Sequence, residues 1–120
     1  MAKKIKSPAT IESVGSKPKL IKEYFGMVNS KTNELSIAHM TSPSGWKEPG
    51  QTPDFDEYTV VLKGELMVET ENETIYVSAG QGIVTNAGEW IRYSTPKKDT
   101  EYIAVCQPAF SPVTVNRDKE

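Results

Sequence analysis

Glycines at fixed distances from a few polar residues divide the middle of this chain into short segments. The first group of such positions is Gly45, Gln51, Pro53, Glu57 and Gly64, and the second is Gly80, Asn86, Gly88, Ile91 and Thr95. Glycine permits a tight turn at a strand end because it has no Cβ atom. Gly64 separates two apolar runs, Val60-Val61-Leu62 and Leu66-Met67-Val68, and is the natural reversal point between them. The spacing therefore predicts many short strands joined by turns.

The rest of the chain has the pattern of short strands and turn residues that is typical of an all-β protein. Short β-branched and aromatic runs alternate with clusters of Gly, Pro, Asn and Ser, and no window holds a long stripe of helical period. The runs predict strands at residues 20–25, 35–41, 58–63, 65–70, 74–77, 82–85, 90–94 and 101–107. Glu71-Asn72 is the predicted hairpin tip, since Asn tolerates positive φ and the flanking residues alternate between polar and apolar.

A chain of 120 residues predicts a single domain, because it closes one hydrophobic core and has no room for a separate substrate domain. Within it we expect an N-terminal arm and the first strand or strands at 1–34, a barrel core at 35–107 and a C-terminal extension at 108–120. Pro8, Gly15 and Pro18 interrupt the arm, whose partner is either the barrel edge or another subunit. The polar end, residues 113–120, is either an extended flap or a frayed tail.

The composition of the chain limits the classes of molecule that it is expected to bind. The formal net charge is -2 with both signs interspersed, which gives neither a basic face for nucleic acid nor an acidic tail. No apolar stretch approaches the roughly 20 residues that span a bilayer, so no membrane partner is predicted. Residues 1–7 lack the apolar segment of a secretory signal, and Cys106, the only cysteine, is predicted to be a buried strand thiol. We expect a cytoplasmic protein whose partner is a small molecule.

Both groups of spaced positions follow the two-part signature of the cupins. The first fits G-x5-H-x-H-x3-E-x6-G and the second fits G-x5-P-x-G-x2-H-x3-N, with Gln51, Pro53 and Ile91 where the three histidine ligands would be. Over residues 35–107 the chain resembles single-domain cupins. The resemblance implies an all-β fold, a double-stranded β-helix barrel of the jelly-roll type, whose mouth hosts a small-molecule site.

Two segments resemble particular cupins. Residues 55–66, FDEYTVVLKGEL, resemble the ethanolamine-utilisation cupins, which keep the glutamate that matches Glu57 while lacking the paired histidines. Residues 102–108 and 115–118 are similar to the end of the ectoine synthases. Those enzymes use a reduced ligand set that includes the glutamate matching Glu57, but their histidine corresponds to Ile91 here and their tyrosine to Ile83.

The departures from the signature predict a degenerate metal site and no metal cofactor. The amide oxygen of Gln51 is a far poorer ligand than imidazole for Zn²⁺, Fe²⁺ or Ni²⁺. Pro53 has no side-chain donor, and Ile91 makes its wall apolar. If a metal is bound, Glu57 with Gln51 and His39 are the candidate ligands.

The candidate catalytic residues are Glu57, His39 and Tyr93. The cupin geometry implies that Glu57 points into the barrel, where burial favours the protonated form and makes it a candidate general acid or base. Alternatively, Glu57 is a structural carboxylate satisfied by Gln51 or a tyrosine hydroxyl. His39 is the only histidine and would approach Glu57 if its face of the strand is the inward one.

The candidate ligand-binding residues are Gln51, Trp46, Ile91 and Arg92. Tyr93 shares a strand face with Ile91, whereas Arg92 is expected on the opposite face with Trp90. The aromatic rings near both motifs either pack in the barrel and the subunit contact or line an organic ligand.

Three functions are compatible with this pattern. The first is a small-molecule-binding cupin with its pocket centred on Glu57. The second is a lyase, isomerase or cyclising enzyme in which Glu57 moves a proton and His39 or Tyr93 assists. The third is a structural or assembly subunit that has lost its site. We expect a homodimer in each case, because the arm and the exposed strand edges need cover.

Overall fold

The structure, a computed structural model, describes residues 1–119 and contains only strands, turns and loops in that range. The strands are β1 (Ala9–Ile11), β2 (Leu20–Phe25), β3 (Ser36–Ser42), β4 (Trp46–Lys47), β5 (Asp56–Lys63), β6 (Glu65–Thr70), β7 (Thr74–Ser78), β8 (Gly82–Thr85), β9 (Ile91–Thr95) and β10 (Thr100–Gln107). They form two antiparallel sheets, with strand orders β1-β2-β3-β10-β5-β8 and β4-β9-β6-β7. Within residues 1–119 there is no helix of the length and apolarity needed to cross a membrane.

All eight predicted strands are present, as β2, β3 and β5–β10. The predicted hairpin tip is confirmed between β6 and β7, where the Thr70 amide donates to the Glu73 carbonyl at 2.8 Å. The two strands that sequence patterning does not predict, β1 and β4, are three and two residues long. Runs this short carry no recognisable alternation. The predicted all-β double-sheet barrel is thus confirmed.

Large side chains fill one end of the space between the sheets. Val61, Leu66, Val68 and Ile91 are at most 1% exposed and pack with Trp46. Their burial removes apolar surface from water, which is the dominant favourable term in folding. This end of the barrel is the core.

Small side chains line the other end, on the inner face of the six-stranded sheet. Ser36, Cys106, Glu57 and Thr85 lie in one row across β3, β10, β5 and β8. The next inward row contains Ala38, Ala104 and Thr59. Because these residues are short, they leave the interior unfilled at this end.

The N-terminal arm pairs with the barrel edge of its own chain. β1 lies antiparallel to β2, with Ala9 opposite Glu23 and Ile11 opposite Ile21. Farther along, the Ser16 amide donates to the Lys47 carbonyl at 2.8 Å. Of the two partners expected for the arm, the structure therefore gives the barrel edge.

The C-terminal extension is a hydrogen-bonded flap in the described part. The amides of Thr52, Asp54 and Asp118 donate to Asn116, Thr114 and Gly50 at 3.1, 2.9 and 2.8 Å. Val115 is 1% exposed and packs with Phe55, Cys106 and Phe110. Of the two alternatives for this end, the described part is a flap: a turn at 112–114 leads into residues 116–119, which lie along residues 50–54. Glu120 lies outside the described residues.

Candidate functional site

A cavity of about 60 Å³ lies at the end of the barrel with the small side chains. Its wall combines the inner faces of both sheets with the N-terminal arm and the C-terminal flap. The polar and ionisable side chains that line it are Lys19, Glu23, Ser36, Glu48, Gln51, Glu57, Thr59, Tyr93, Tyr102, Cys106 and Arg117. Most of the remaining wall is apolar, as is usual for small-molecule sites.

Glu57 projects into this cavity from β5 and is 8% exposed. The Tyr93 hydroxyl on β9 donates to Glu57 Oε1 at 3.1 Å, and the Thr85 and Tyr93 hydroxyls lie 2.9 Å apart. Burial, and then the charge of Glu48, raise the pKa of Glu57 to about 7, against the lowering effects of Lys19 and the Tyr93 bond. Glu57 therefore exchanges a proton near neutral pH at the surface of a cavity.

Lys19, from the end of the arm, forms a second polar group on the cavity wall. Its Nζ atom lies 3.6 Å from Glu48 Oε1, 3.3 Å from the Tyr102 hydroxyl and 4.1 Å from the centre of the Trp46 ring. Burial alone would lower the pKa of Lys19, but Tyr102, Glu48 and Glu57 outweigh it, so the pKa is raised. A protonated amine does not attack carbonyl carbon, so the chemistry open to Lys19 is that of a cation and not of a nucleophile.

Glu48 lies between two cations. Burial raises its pKa, whereas the positive charges of Lys19 and Arg117 lower it, and burial prevails. The side chain of Glu48 is 7% exposed.

Two more polar groups on the wall have no hydrogen-bond partner among residues 1–119. They are the buried Oε1 atom of Gln51 and the buried Nε atom of Arg117. The backbones of these two residues form an antiparallel bridge, and Gln51 forms a second bridge with Ile91. Gln51 is 3% exposed, and a buried acceptor of this kind normally has a partner.

The thiol of Cys106 is buried on the cavity floor, as predicted for a strand thiol. Burial, and then the charge of Glu57, hold the pKa of this thiol far above its usual range. Cys106 is therefore an unreactive wall residue.

His39 lies on the outer face of β3, because its neighbours Ala38 and Met40 occupy the inner one. Its Nε2 atom lies 3.2 Å from Glu101 Oε1, and its side chain is 29% exposed. The expectation that His39 approaches Glu57 is corrected by this geometry. The conditional metal set of Glu57, Gln51 and His39 is consequently not brought together.

The other sequence candidates divide between the cavity and its surroundings. Gln51, Glu57 and Tyr93 line the cavity together. Arg92 lies outside it and donates to the Glu69 carboxylate at 2.8 and 3.0 Å. Ile91 belongs to the core, and Trp46 is fully buried beneath Lys19.

Lys19, Glu48, Tyr102 and Arg117 are cavity residues that sequence reasoning missed. Lys19 lies in the arm, and its contact with Tyr102 joins positions 83 residues apart. Glu48 lies between Gly45 and Gln51 but at no position that the spacing marks. No local pattern marks such residues, because only the closed barrel brings them together.

The described residues do not offer a conventional metal centre. Among residues 1–119, no group of three or more His, Cys, Asp and Glu side chains is placed to hold an ion. At the cavity, Glu57 is accompanied by the amide of Gln51, and the apolar side chain of Ile91 lies in the core behind it. This donor set does not fit a zinc, iron or nickel ion.

Solved structures similar to this chain have one architecture in common. The polyketide cyclase RemF from Streptomyces resistomycificus superposes with a TM-score of 0.77 over 100% of this chain and 88% of its own, at 16% identity. The EutQ protein of Clostridium difficile gives a TM-score of 0.66 over 78% of this chain and 65% of its own, at 24% identity. A predicted oxalate decarboxylase from Thermotoga maritima gives 0.71 over 90% and 99%, at 18% identity. The chain has the cupin fold. At these identities the likeness establishes the fold and leaves the ligand open.

One curated relative matches this chain in sequence. It is named endoribonuclease YbeY, from Myxococcus xanthus (strain DK1622), and is 38% identical over 95 residues. The match includes 78% of this chain but only 32% of the relative, so this chain spans about a third of that protein's length. No family model matches the chain.

Proposed function

We propose that this cupin barrel binds a small organic molecule in the cavity and that Glu57 contacts the ligand directly. The observation that carries the proposal is a carboxyl group that is 8% exposed and faces open space with one hydroxyl donor. Burying an ionisable group costs stability unless partners compensate it. A barrel that had become purely structural would gain from an apolar residue at this position, so the retained carboxyl favours a binding role over an assembly role.

Acid–base catalysis is the second candidate. It is favoured by the pKa of Glu57, which burial and Glu48 raise to about 7, because a proton-transfer group works best near the pH of its surroundings. Burial, and then Glu57, raise the pKa of Tyr93, which stays protonated and can donate to a developing negative charge. A lyase, isomerase or cyclising reaction needs such a pair, and RemF, which matches along the whole chain, is named a polyketide cyclase.

Ribonuclease activity is not proposed for this chain. The segment similar to the Myxococcus xanthus protein is 32% of that protein, and a name describes the whole of it. With a net charge of -2, this chain also lacks the excess of cations that holds a phosphate backbone.

A thermal-shift screen against metabolites tests the proposal. A binder at about 100 times its dissociation constant should stabilise the fold by roughly 2.7 kcal/mol. Glu57→Gln should abolish the shift, whereas Glu73→Gln, the same change on the exposed β6–β7 turn, should keep it. Mass spectrometry of the ligand after incubation then separates turnover from binding. If Glu57→Gln keeps every ligand-induced shift, the site is elsewhere.

A further inference from the structure

We propose that the ligand of this cavity is a small organic carboxylate whose anionic group is bound by Lys19 and Arg117. The inference rests on the proposed function and names the chemical class of the ligand. It is carried by two cations that line the cavity and have hydrogen-bond donors left over, and by an unpaired acceptor in the same lining.

Lys19 is buried without a short polar contact. Its side chain is 8% exposed. A charge-assisted N–H···O bond is typically about 2.7–2.9 Å long, whereas its nearest oxygens, on Tyr102 and Glu48, are at 3.3 and 3.6 Å. The ammonium therefore has donors available for an oxygen atom that enters the cavity.

Arg117 brings a second cation to the same wall from the C-terminal flap. Its buried Nε atom has no acceptor in the described part of the chain, and its guanidinium lies 5.8 Å from the Phe110 ring centre. A guanidinium presents a planar set of donors that matches a carboxylate. Arg117 and Lys19 both line the cavity and both interact with Glu48, so a carboxylate that enters it can accept from either cation.

The carboxylates on this wall already have partners. Lys19 and Arg117 both interact with Glu48, and Lys19 also interacts with Glu57. Glu57 accepts from Tyr93. Glu23, the remaining carboxylate on the wall, accepts from the amides of Val28 and Asn29 at 3.0 and 2.9 Å. With each carboxylate already contacted, the spare donors of Lys19 and Arg117 are available to an anionic ligand.

The unpaired side-chain acceptor of Gln51 is an independent observation in favour of a ligand in this cavity. Its Oε1 atom is buried, lines the cavity and has no donor among residues 1–119. Such an acceptor normally has a partner. A hydroxyl group on the bound acid would supply it.

The test uses the full chain and four probes, acetate, glycolate, lactate and 3-hydroxybutyrate, each paired with its amide at matched ionic strength. We expect at least one acid, and no amide, to raise the melting temperature and to bind in calorimetry. Equal shifts from acids and amides, or no shift from any acid, would overturn the inference.

Variants locate the anion site. Changing Lys19 alone would leave Glu48 buried and unpaired, so Lys19→Met is made together with Glu48→Gln. This double variant should weaken acid binding about tenfold or more, Glu48→Gln alone should strengthen it, and Lys19→Arg should retain it. Lys22→Met on the outer face of β2 is the matched control and should bind like the unchanged chain. Circular dichroism establishes that each variant is folded.

The outcomes separate this inference from the proposed function. If an uncharged ligand is bound, lost in Glu57→Gln and kept in the Lys19→Met/Glu48→Gln variant, the carboxylate inference fails and the proposed function stands. If acids bind through Lys19 and Glu57→Gln leaves them unaffected, the inference stands and the role of Glu57 fails.

Discussion

The Tyr93 hydroxyl reaches across from one sheet to the other and donates to Glu57 Oε1 at 3.1 Å. The bond joins β9 to β5, and the Thr85 hydroxyl, 2.9 Å from that of Tyr93, supports it from β8. A tyrosine donor that remains protonated holds the carboxyl in one orientation without neutralising it. The pair therefore fixes the position of a group whose charge is still free to change.

Glu57→Gln should keep or raise the melting temperature at neutral pH while abolishing ligand binding. The folded pKa is about 7, above its ordinary value of 4.5, so the folded chain binds more protons between those pH values. The contribution of Glu57 to the unfolding free energy consequently falls as pH rises from about 4.5 to 7, by on the order of 3 kcal/mol. Denaturant unfolding of the unchanged chain and of Glu57→Gln across this pH range measures the difference between their unfolding free energies. Outside the range this difference should not change with pH. Glu69→Gln is the control: because its bond to Arg92 lowers the pKa of Glu69, the contribution of Glu69 should be flat from about pH 4.5 to 7 and should fall only as pH drops below about 4.5. A difference that rises with pH would contradict the assignment.

Tyr93→Phe should weaken ligand binding less than Glu57→Gln does, and His39→Asn should leave it unchanged. Tyr93 touches Glu57, whereas His39 contacts Glu101 on the outer face. The loss of one hydrogen bond to a charged group corresponds to about 1.5–3 kcal/mol. Calorimetry with the best ligand from the screen measures both. A larger loss in His39→Asn than in Tyr93→Phe would show that the cavity is not the site.

The purified, tag-free protein should contain no stoichiometric transition metal. Gln51 offers an amide, Ile91 offers no donor, and His39 faces away from Glu57. Elemental analysis by mass spectrometry checks this. One equivalent of zinc, iron or nickel that disappears in Glu57→Ala would contradict the prediction.

The chain should form a homodimer through the outer face of the six-stranded sheet. The arm pairs within its own chain, so the reason to expect a second copy is now the apolar surface on β5 and β8. Four large apolar side chains on these strands are about half exposed: Tyr58 (45%), Val60 (51%), Leu62 (52%) and Val84 (51%). The strand register places Tyr58 beside Val84. Sedimentation velocity should give a dimer, which Val60→Lys converts to a monomer. Val113→Lys, at another exposed valine, should remain dimeric, and a monomeric unchanged chain would refute the expectation.

Gly64→Ala should destabilise the fold more than Gly80→Ala. Both glycines adopt positive φ, +85° and +86°, where an L-residue costs roughly 1–2 kcal/mol. A Cβ on Gly64 would also collide with the Asp99 carbonyl oxygen and meet Thr100 Oγ1 at 2.5 Å, whereas at Gly80 nothing lies within 4 Å. Urea unfolding of the two variants measures the loss of unfolding free energy in each. Equal losses would mean that the turn between β5 and β6 rearranges to accommodate the methyl group at little cost.

Alternation and turn residues predicted most of the fold because they act between neighbours in the sequence. The same rule has a limit in β3, where it put Ile37, His39 and Thr41 on one face without saying which face is inward. The small Ser36 and Ala38 take the inner side, and this choice depends on what β10 and the opposite sheet present.

The site was predictable only where the spacing of the signature marked it. Glu57 and Gln51 stand at marked positions and line the cavity, as Tyr93 does. Lys19 and Arg117 come from the two chain ends, and tertiary contacts alone bring them to the same wall. Such contacts leave no trace in a window of neighbouring residues.

The barrel is filled unequally, and this separates fold stability from ligand preference, two properties that compete in most proteins. The folding energy resides with large side chains such as Leu66 and Val68, while the cavity floor consists of residues as small as Ala38 and Ala104. Exchanging one small floor residue for another alters the shape of the binding space without removing a large packed group. Ligand preference can therefore drift during evolution, or be redesigned in the laboratory, while the scaffold remains intact.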